Sequence, residues 1–282
     1  MDLSKKKIIL FFLLPLLFLH CKNDKKVVQG FNKKNAIEIK LPPQLNEISG
    51  ICFSDDGKLF GHNDEKGVVY QIDFKTGKII KAFQLGVIGI EADFEDIAIV
   101  KDKFFLITSN GILYEFSEGK NLEKVDFKEI DLGFSSKYNI EGLCYDKNTE
   151  SLLIAAKDYP GKKYKGNRAV YSYSLKTKKI NKNPRFLISL KKLEKKFGIK
   201  DFYPSAITQI QSNGNFYILS AKGHPALIEI DAKGKLIDQI KLSPKQHPQP
   251  EGIAINKNYD IFISDEGAGG SGKITIYKKD KL

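Results

Sequence analysis

One spacing constrains the fold of this chain more than any other feature. Ser49-Gly50-Ile51-Cys52, Glu95-Asp96-Ile97-Ala98, Glu141-Gly142-Leu143-Cys144, Ser205-Ala206-Ile207-Thr208 and Glu251-Gly252-Ile253-Ala254 begin 46, 46, 64 and 46 residues apart. A turn-rich break such as Ser54-Asp55-Asp56-Gly57 follows each start. Three further apolar runs complete each unit, as in Phe104 to Thr108, Ile112 to Phe116 and Leu236 to Leu242. Four short strands per unit at this period describe a propeller blade. Five starts predict five blades, the alternative being six with one hidden in the 64-residue unit. The last unit ends after its third strand. Ile37-Glu38-Ile39-Lys40-Leu41 has the pattern of the missing fourth, so the N-terminal strand is expected to close the ring on the last blade and remove the open sheet edge. Cys52 and Cys144 share a small-residue position with Ala98, Thr208 and Ala254. They fall on nonadjacent blades, which predicts packed free thiols and no disulfide.

The first residues carry a different message. Lys5-Lys6-Lys7 precede an apolar run from Ile8 to Leu19 that ends at His20-Cys21. Twelve apolar residues are too few to cross a bilayer core, which needs about 20, but basic, then apolar, then cysteine is the order of an export signal. The segment resembles a bacterial lipoprotein signal with a relaxed cleavage site, which makes Cys21 the lipidated first residue. Residues 1–20 are thus expected to be removed, 21–35 to form a lysine-rich flexible tether, and 36–282 to be one domain. Hydrophobic residues at 41% and aromatics at 11% suffice for its core. The expected address is the bacterial cell envelope, lipid-anchored at the outer membrane.

The blade motifs, Glu47-Ile48-Ser49-Gly50-Ile51, Glu141-Gly142-Leu143, Pro204-Ser205-Ala206-Ile207 and Glu251-Gly252-Ile253-Ala254 followed by Ile263-Ser264-Asp265-Glu266, resemble the SdiA-regulated (YjiK-like) family of exported β-propellers. The likeness runs from about Leu41 to the C-terminus. It departs in Phe94-Glu95-Asp96, where Asp96 replaces the usual glycine, and in the long basic third unit. The resemblance implies an exported propeller and, by way of related lactonase and phytase propellers, a calcium site at the channel mouth. It implies no particular reaction.

Blade geometry gathers residues at that mouth. Each innermost strand starts there, supplying Glu95, Glu141 and Glu251 with Glu47, Asp93 and Asn139 two residues before repeat starts. Each second strand ends there, supplying Asn63, Asp64, Asn110, Lys157, Asp158, Lys222, Asp265 and Glu266. Clustered carboxylates suit a hard cation such as Ca²⁺, with Glu95, Glu141, Glu251, Asp64, Asp158 and Asp265 as metal candidates. Asn63, Asn110, Lys157, Lys222 and Glu266 are the ligand-binding candidates. A glutamate recurring at one blade position has a second role open to it, accepting backbone N–H bonds. His247 and His224 lie in loops toward the same face, and no nucleophile motif accompanies them.

Net charge is +12, but residues 161–200 hold fourteen Lys or Arg against one acid, Glu194, leaving 32 basic and 33 acidic residues elsewhere. One basic blade on a near-neutral disc can meet an anionic surface or an acidic partner. Export leaves no nucleic acid to bind, and a monomer is expected. The expected function is non-catalytic binding of a small molecule, cation or envelope partner at the mouth. The alternative is a calcium-dependent esterase, lactonase or phosphoesterase using the same residues.

Overall fold

A computed structural model describes residues 36–279. The signal segment, Cys21 and the tether lie outside the described residues. Five antiparallel sheets form a five-bladed propeller. The first blade comprises Ile48–Phe53, Leu59–Asn63, Val68–Ile72 and Ile79–Leu85. The second comprises Phe94–Val100, Lys103–Thr108, Ile112–Ser117 and Phe127–Asp131. The third has Ile140–Asp146, Ser151–Ala156 and Asn167–Ser174. Its outer position is divided between Lys179–Ile180 and Phe186–Ser189, both paired with Asn167–Ser174. The fourth is Pro204–Gln209, Phe216–Ser220, Ala226–Ile230 and Leu236–Lys241. The fifth is Pro250–Ile255, Ile261–Asp265 and Lys273–Tyr277, completed by Ala36–Lys40.

That closing pair runs antiparallel, with Ala36 opposite Tyr277 and Lys40 opposite Lys273. It buries Ile39 between the exposed Glu38 and Lys40, as a strand with one packed face should, whereas Ile37, on the same face nearer the strand's start, stays exposed. The extra length of the third unit builds no sixth blade. It forms the divided outer strand and a helix, Leu190–Phe197, started by Ser189 accepting from the Lys192 N–H and ended by Gly198 at φ 67°. Gly198 takes the left-handed turn that closes many helices. The first blade also gains a short parallel strand, Lys124–Val125, from the loop of the second.

The core is divided among the blade junctions. One cluster packs Phe60 and Phe83 of the first blade on Phe104 and Phe116 of the second; another packs Phe186 of the third on Phe216 of the fourth. Each of the five hydrophobic clusters spans two neighbouring blades. Cys144 belongs to the cluster between blades three and four, and both Cys52 and Cys144 are free thiols.

Candidate functional site

Every innermost strand carries a β-bulge at the same place. The ladder skips Glu95 between Phe94 and Asp96, Glu141 between Ile140 and Gly142, Ser205 between Pro204 and Ala206, and Glu251 between Pro250 and Gly252. In the first blade it skips Ser49 and Gly50 together. A bulged residue is freed from the ladder and its side chain is re-aimed. Here the skipped residues Ser49, Glu95, Glu141 and Glu251 line a funnel of about 180 Å³ at the channel mouth, with Glu47, Asp64, Asp93, Lys157 and Glu266. The fourth blade supplies Ser205 at this level, which leaves the acidic ring asymmetric.

The bulges also tie the blades together. Ser49 Oγ donates to the Glu95 carbonyl at 2.5 Å, Ser205 Oγ to the Pro250 carbonyl at 2.8 Å, and Ser264 Oγ to the Ser49 carbonyl at 2.8 Å. Asp96 explains its departure from glycine in the same way. It is buried, and its carboxylate accepts from the Ile97 N–H at 2.8 Å and from the Leu143 N–H of the next blade at 2.6 Å. Burial pushes its pKa well above the ordinary value while those two N–H groups pull it back. Gly50 must stay small beside it, because a Cβ there would sit 2.4 Å from Asp96 Oδ1. In the first blade His62 fills the broken ladder. Its Nε2 accepts from the Gly50 N–H and its Nδ1 donates to the Asn63 carbonyl, and burial lowers its pKa to about 4, so the ring is neutral.

The electrostatics of the funnel are those of crowded acids. Burial raises Glu95 to about 10, with the charges of Glu141 and Asp93 adding to it. Burial raises Glu251 to about 8, again aided by Glu141. Asp64 rises to about 6 through desolvation and the neighbouring Glu47 and Glu266. Glu141 is also raised by burial but is held back by Lys157, whose Nζ donates to Glu141 Oε1 at 2.8 Å. Burial works against the Lys157 charge, yet the pull of Glu141, Glu251 and Glu95 outweighs it and raises the ammonium pKa. Asn139, in a left-handed conformation at φ 49°, donates Nδ2 to Glu141 at 2.9 Å and to Asp158 at 3.3 Å.

The expected site residues therefore divide. Glu95, Glu141, Glu251, Asp64, Lys157 and Glu266 converge on the funnel. Asp158 meets it through Asn139. Asn63 accepts from the Lys66 N–H, Asn110 from the Thr108 hydroxyl, and the Lys222 ammonium lies 5.0 Å from the centre of the Tyr203 ring, none of them lining the funnel. Asp265 points into the blade, fully buried, where its Oδ2 bonds His247 Nδ1 at 2.7 Å and the other ring nitrogen meets the Tyr277 hydroxyl. His247 is thus part of a buried network, remote in role from a general base at the mouth. Ser49 and the interblade part of Asp96 were hidden in the sequence. Serine at a position that three other blades fill with glutamate was the available signal for the first.

The basic third unit is partly structural. Arg168 donates to the Phe202 and Asp158 carbonyls and stacks over Tyr203, and Lys196 donates to the Leu236 and Ile237 carbonyls.

Comparison with known proteins places this architecture. No curated protein matches the chain in sequence. Among solved structures, the chain is similar to a glutaminyl cyclase of Myxococcus xanthus, at 13% identity and TM-score 0.56 over 86% of this chain and 95% of that one. It is also similar to a luciferin-regenerating enzyme, at 12% identity and TM-score 0.52 over 86% and 94%. A PQQ-bound aldose sugar dehydrogenase of Streptomyces coelicolor matches at 10% identity and TM-score 0.51 over 86% and 98%. Identities this low speak to the propeller fold alone. The sequence profile is more specific: it matches over residues 28–268, and the chain belongs to the SdiA-regulated family.

Proposed function

We propose that this protein is an exported, lipid-anchored propeller that binds, without turnover, a ligand carrying positively charged groups at its acidic mouth. The observation that supports this reading is the charge imbalance: seven carboxyls line the funnel with one ammonium, Lys157. Burial, and after it the like charges of neighbouring acids, raises Asp64, Glu95 and Glu251, and a bound cation would offset both. The funnel shares Asp64 and Asp93 with a shallow basin of about 510 Å³ that adds Glu65, Lys66 and Glu91. An extended cation would therefore meet carboxyls along its length.

Ca²⁺ fits these residues less well than an organic ammonium. Among the described residues no three His, Cys, Asp or Glu side chains are grouped to hold a metal ion, and the Lys157 ammonium already serves Glu141 from inside the funnel. The basic start, apolar run and Cys21 support the anchor. A hydrolase is the competing reading, favoured by two neighbouring carboxyls with unlike surroundings: Glu95, raised to about 10 by burial and the charges of Glu141 and Asp93, and Glu141, also raised by burial but held back by Lys157. Paired carboxyls set apart by their surroundings are how acid and base roles are assigned.

The test is the unfolding midpoint with spermidine and, separately, Ca²⁺. A ligand that binds only the native state adds about 2.7 kcal/mol at a hundred times its Kd. Spermidine should raise the midpoint, salt should weaken the effect, and Glu141→Gln should diminish it. A response to Ca²⁺ alone would replace the ammonium reading with a metal one, and no response to either would make the carboxyls structural. Ester or phosphoester hydrolysis lost in Glu95→Gln would establish the enzyme instead. Labelled palmitate should enter the wild-type chain and not Cys21→Ser.

A further inference from the structure

The opposite end of the channel holds a second cavity, of about 410 Å³. This volume lies within the range of about 300 to 1,000 Å³ typical of ligand sites. It shares no lining residue with the acidic funnel. All five innermost strands line it, with the small side chains Cys52, Ala98, Cys144, Thr208 and Ala254 at one level of the repeat. Its wall carries no ionised thiol. Burial pushes Cys52 up to about 12 and Cys144 well above the ordinary value, so both stay neutral.

Charge appears only at the rim. The turns after the innermost strands of blades two, three and five place Lys101, Lys147 and Lys257 around the opening, against a single acid, Asp55. Among the described residues none of these three ammonium groups is held in a salt bridge. The chain also arrives at this end. Ala36 lies opposite Tyr277, Tyr277 opposite Ile261, and Ile261 opposite Ile255 on the cavity wall.

We infer that this far-end cavity is a second binding site, for a single-chain amphiphile with an anionic head. The aliphatic body fills the uncharged channel and the head meets the three rim lysines. The site is independent of the acidic mouth and stands or falls separately from it. Apolar burial supplies the general attraction, and the lysines supply selection by charge.

The full chain carrying Cys21→Ser is the material of choice, because no acyl chain or detergent then competes for the cavity. Its two remaining cysteines, Cys52 and Cys144, both lie on the cavity wall. Cys52 is the more accessible of the two, and although its raised pKa slows the reaction, its rate of labelling by a small neutral reagent reads occupancy of this cavity and not of the mouth, whereas Cys144, packed between blades three and four, reports opening of the fold. Dodecanoate, dodecanol and dodecyltrimethylammonium are compared below their micelle concentrations. Dodecanoate should protect Cys52 best, with an apparent Kd about tenfold below that of the alcohol, the scale of a few screened ion pairs. The ammonium should protect least. Replacing the exposed Lys101, Lys147 and Lys257 together by Glu should invert the order of the two ions while leaving dodecanol unchanged. Absence of protection by all three amphiphiles would overturn the site. Equal protection by all three, or no effect of the lysine replacements, would overturn recognition of an anionic head.

Discussion

Glu251→Gln should stabilise this protein near neutral pH, although it removes a charged residue from the centre of the molecule. Glu251 titrates at about 8 in the folded chain against an ordinary 4.5, chiefly because it is buried among other acids. Between those values the folded state holds a proton that the unfolded state has released, so stability falls as pH rises, by about 1.4 kcal/mol per pH unit for one group. Accumulated from 4.5 to 7 the penalty is about 3 kcal/mol. Glu251 is partly open to the funnel, and solvent screening reduces the expected effect to about half of that. Glutamine mimics the protonated acid in shape and carries no such penalty. The gain should therefore be about 1.5 kcal/mol near pH 7, about 0.4 kcal/mol near pH 5 and close to zero below about pH 4, where the glutamate is protonated in both states. Urea unfolding of the wild type and the variant at the two pH values measures the difference directly. An equal effect at both pH values, or destabilisation near pH 7, would refute the claim that crowding at the mouth holds this carboxyl neutral.

Three further outcomes follow from the same structure. Lys157→Met strips Glu141 of its only cationic partner among the described residues and should cost about 2 to 4 kcal/mol near pH 7, with partial recovery toward pH 5 as Glu141 takes a proton; urea unfolding across pH checks it. His247→Ala leaves the buried Asp265 without the partner of its Oδ2, while its Oδ1 already lacks one, and should cost about 3 kcal/mol, read as a lower thermal midpoint with unchanged β circular dichroism. Removing residues through 34 should leave folding intact, whereas removing them through 41 strips Ile39 and Leu41 from the core between the last and first blades. Each buried aliphatic contributes about 1.5 to 3 kcal/mol, and the bared edge of Lys273–Tyr277 should show as aggregation in light scattering.

Much of the architecture was legible because it depends on local pattern. The 46-residue step and the fourth-strand likeness of Ile37 to Leu41 are both set by side-chain alternation and turn residues close in sequence. The convergence of Glu95, Glu141 and Glu251 was legible for the same reason, since one repeat position maps to one level of the ring. Asp265 and Glu266 show where such reasoning stops. The two acids are adjacent in the chain and opposite in fate, one sealed against His247 and the other facing the funnel. Neighbours along a strand point to opposite sides, and the ladder through Asp265 is unbroken, so the two acids cannot share one face; the pattern of residue types does not record which of them faces the funnel.

The sequence alone determined the number of blades, their closure and the end of the disc at which acids gather, because each rests on hydrogen bonds and packing repeated within a unit. Only the tertiary structure decided that Lys157 and not Lys222 enters the acidic funnel, that Asp96 bonds the next blade, and that a separate cavity lies at the other end. Those features join residues from different blades. Their distances are fixed by how the finished ring rotates one blade against the next, and this is a property of the closed assembly rather than of any segment.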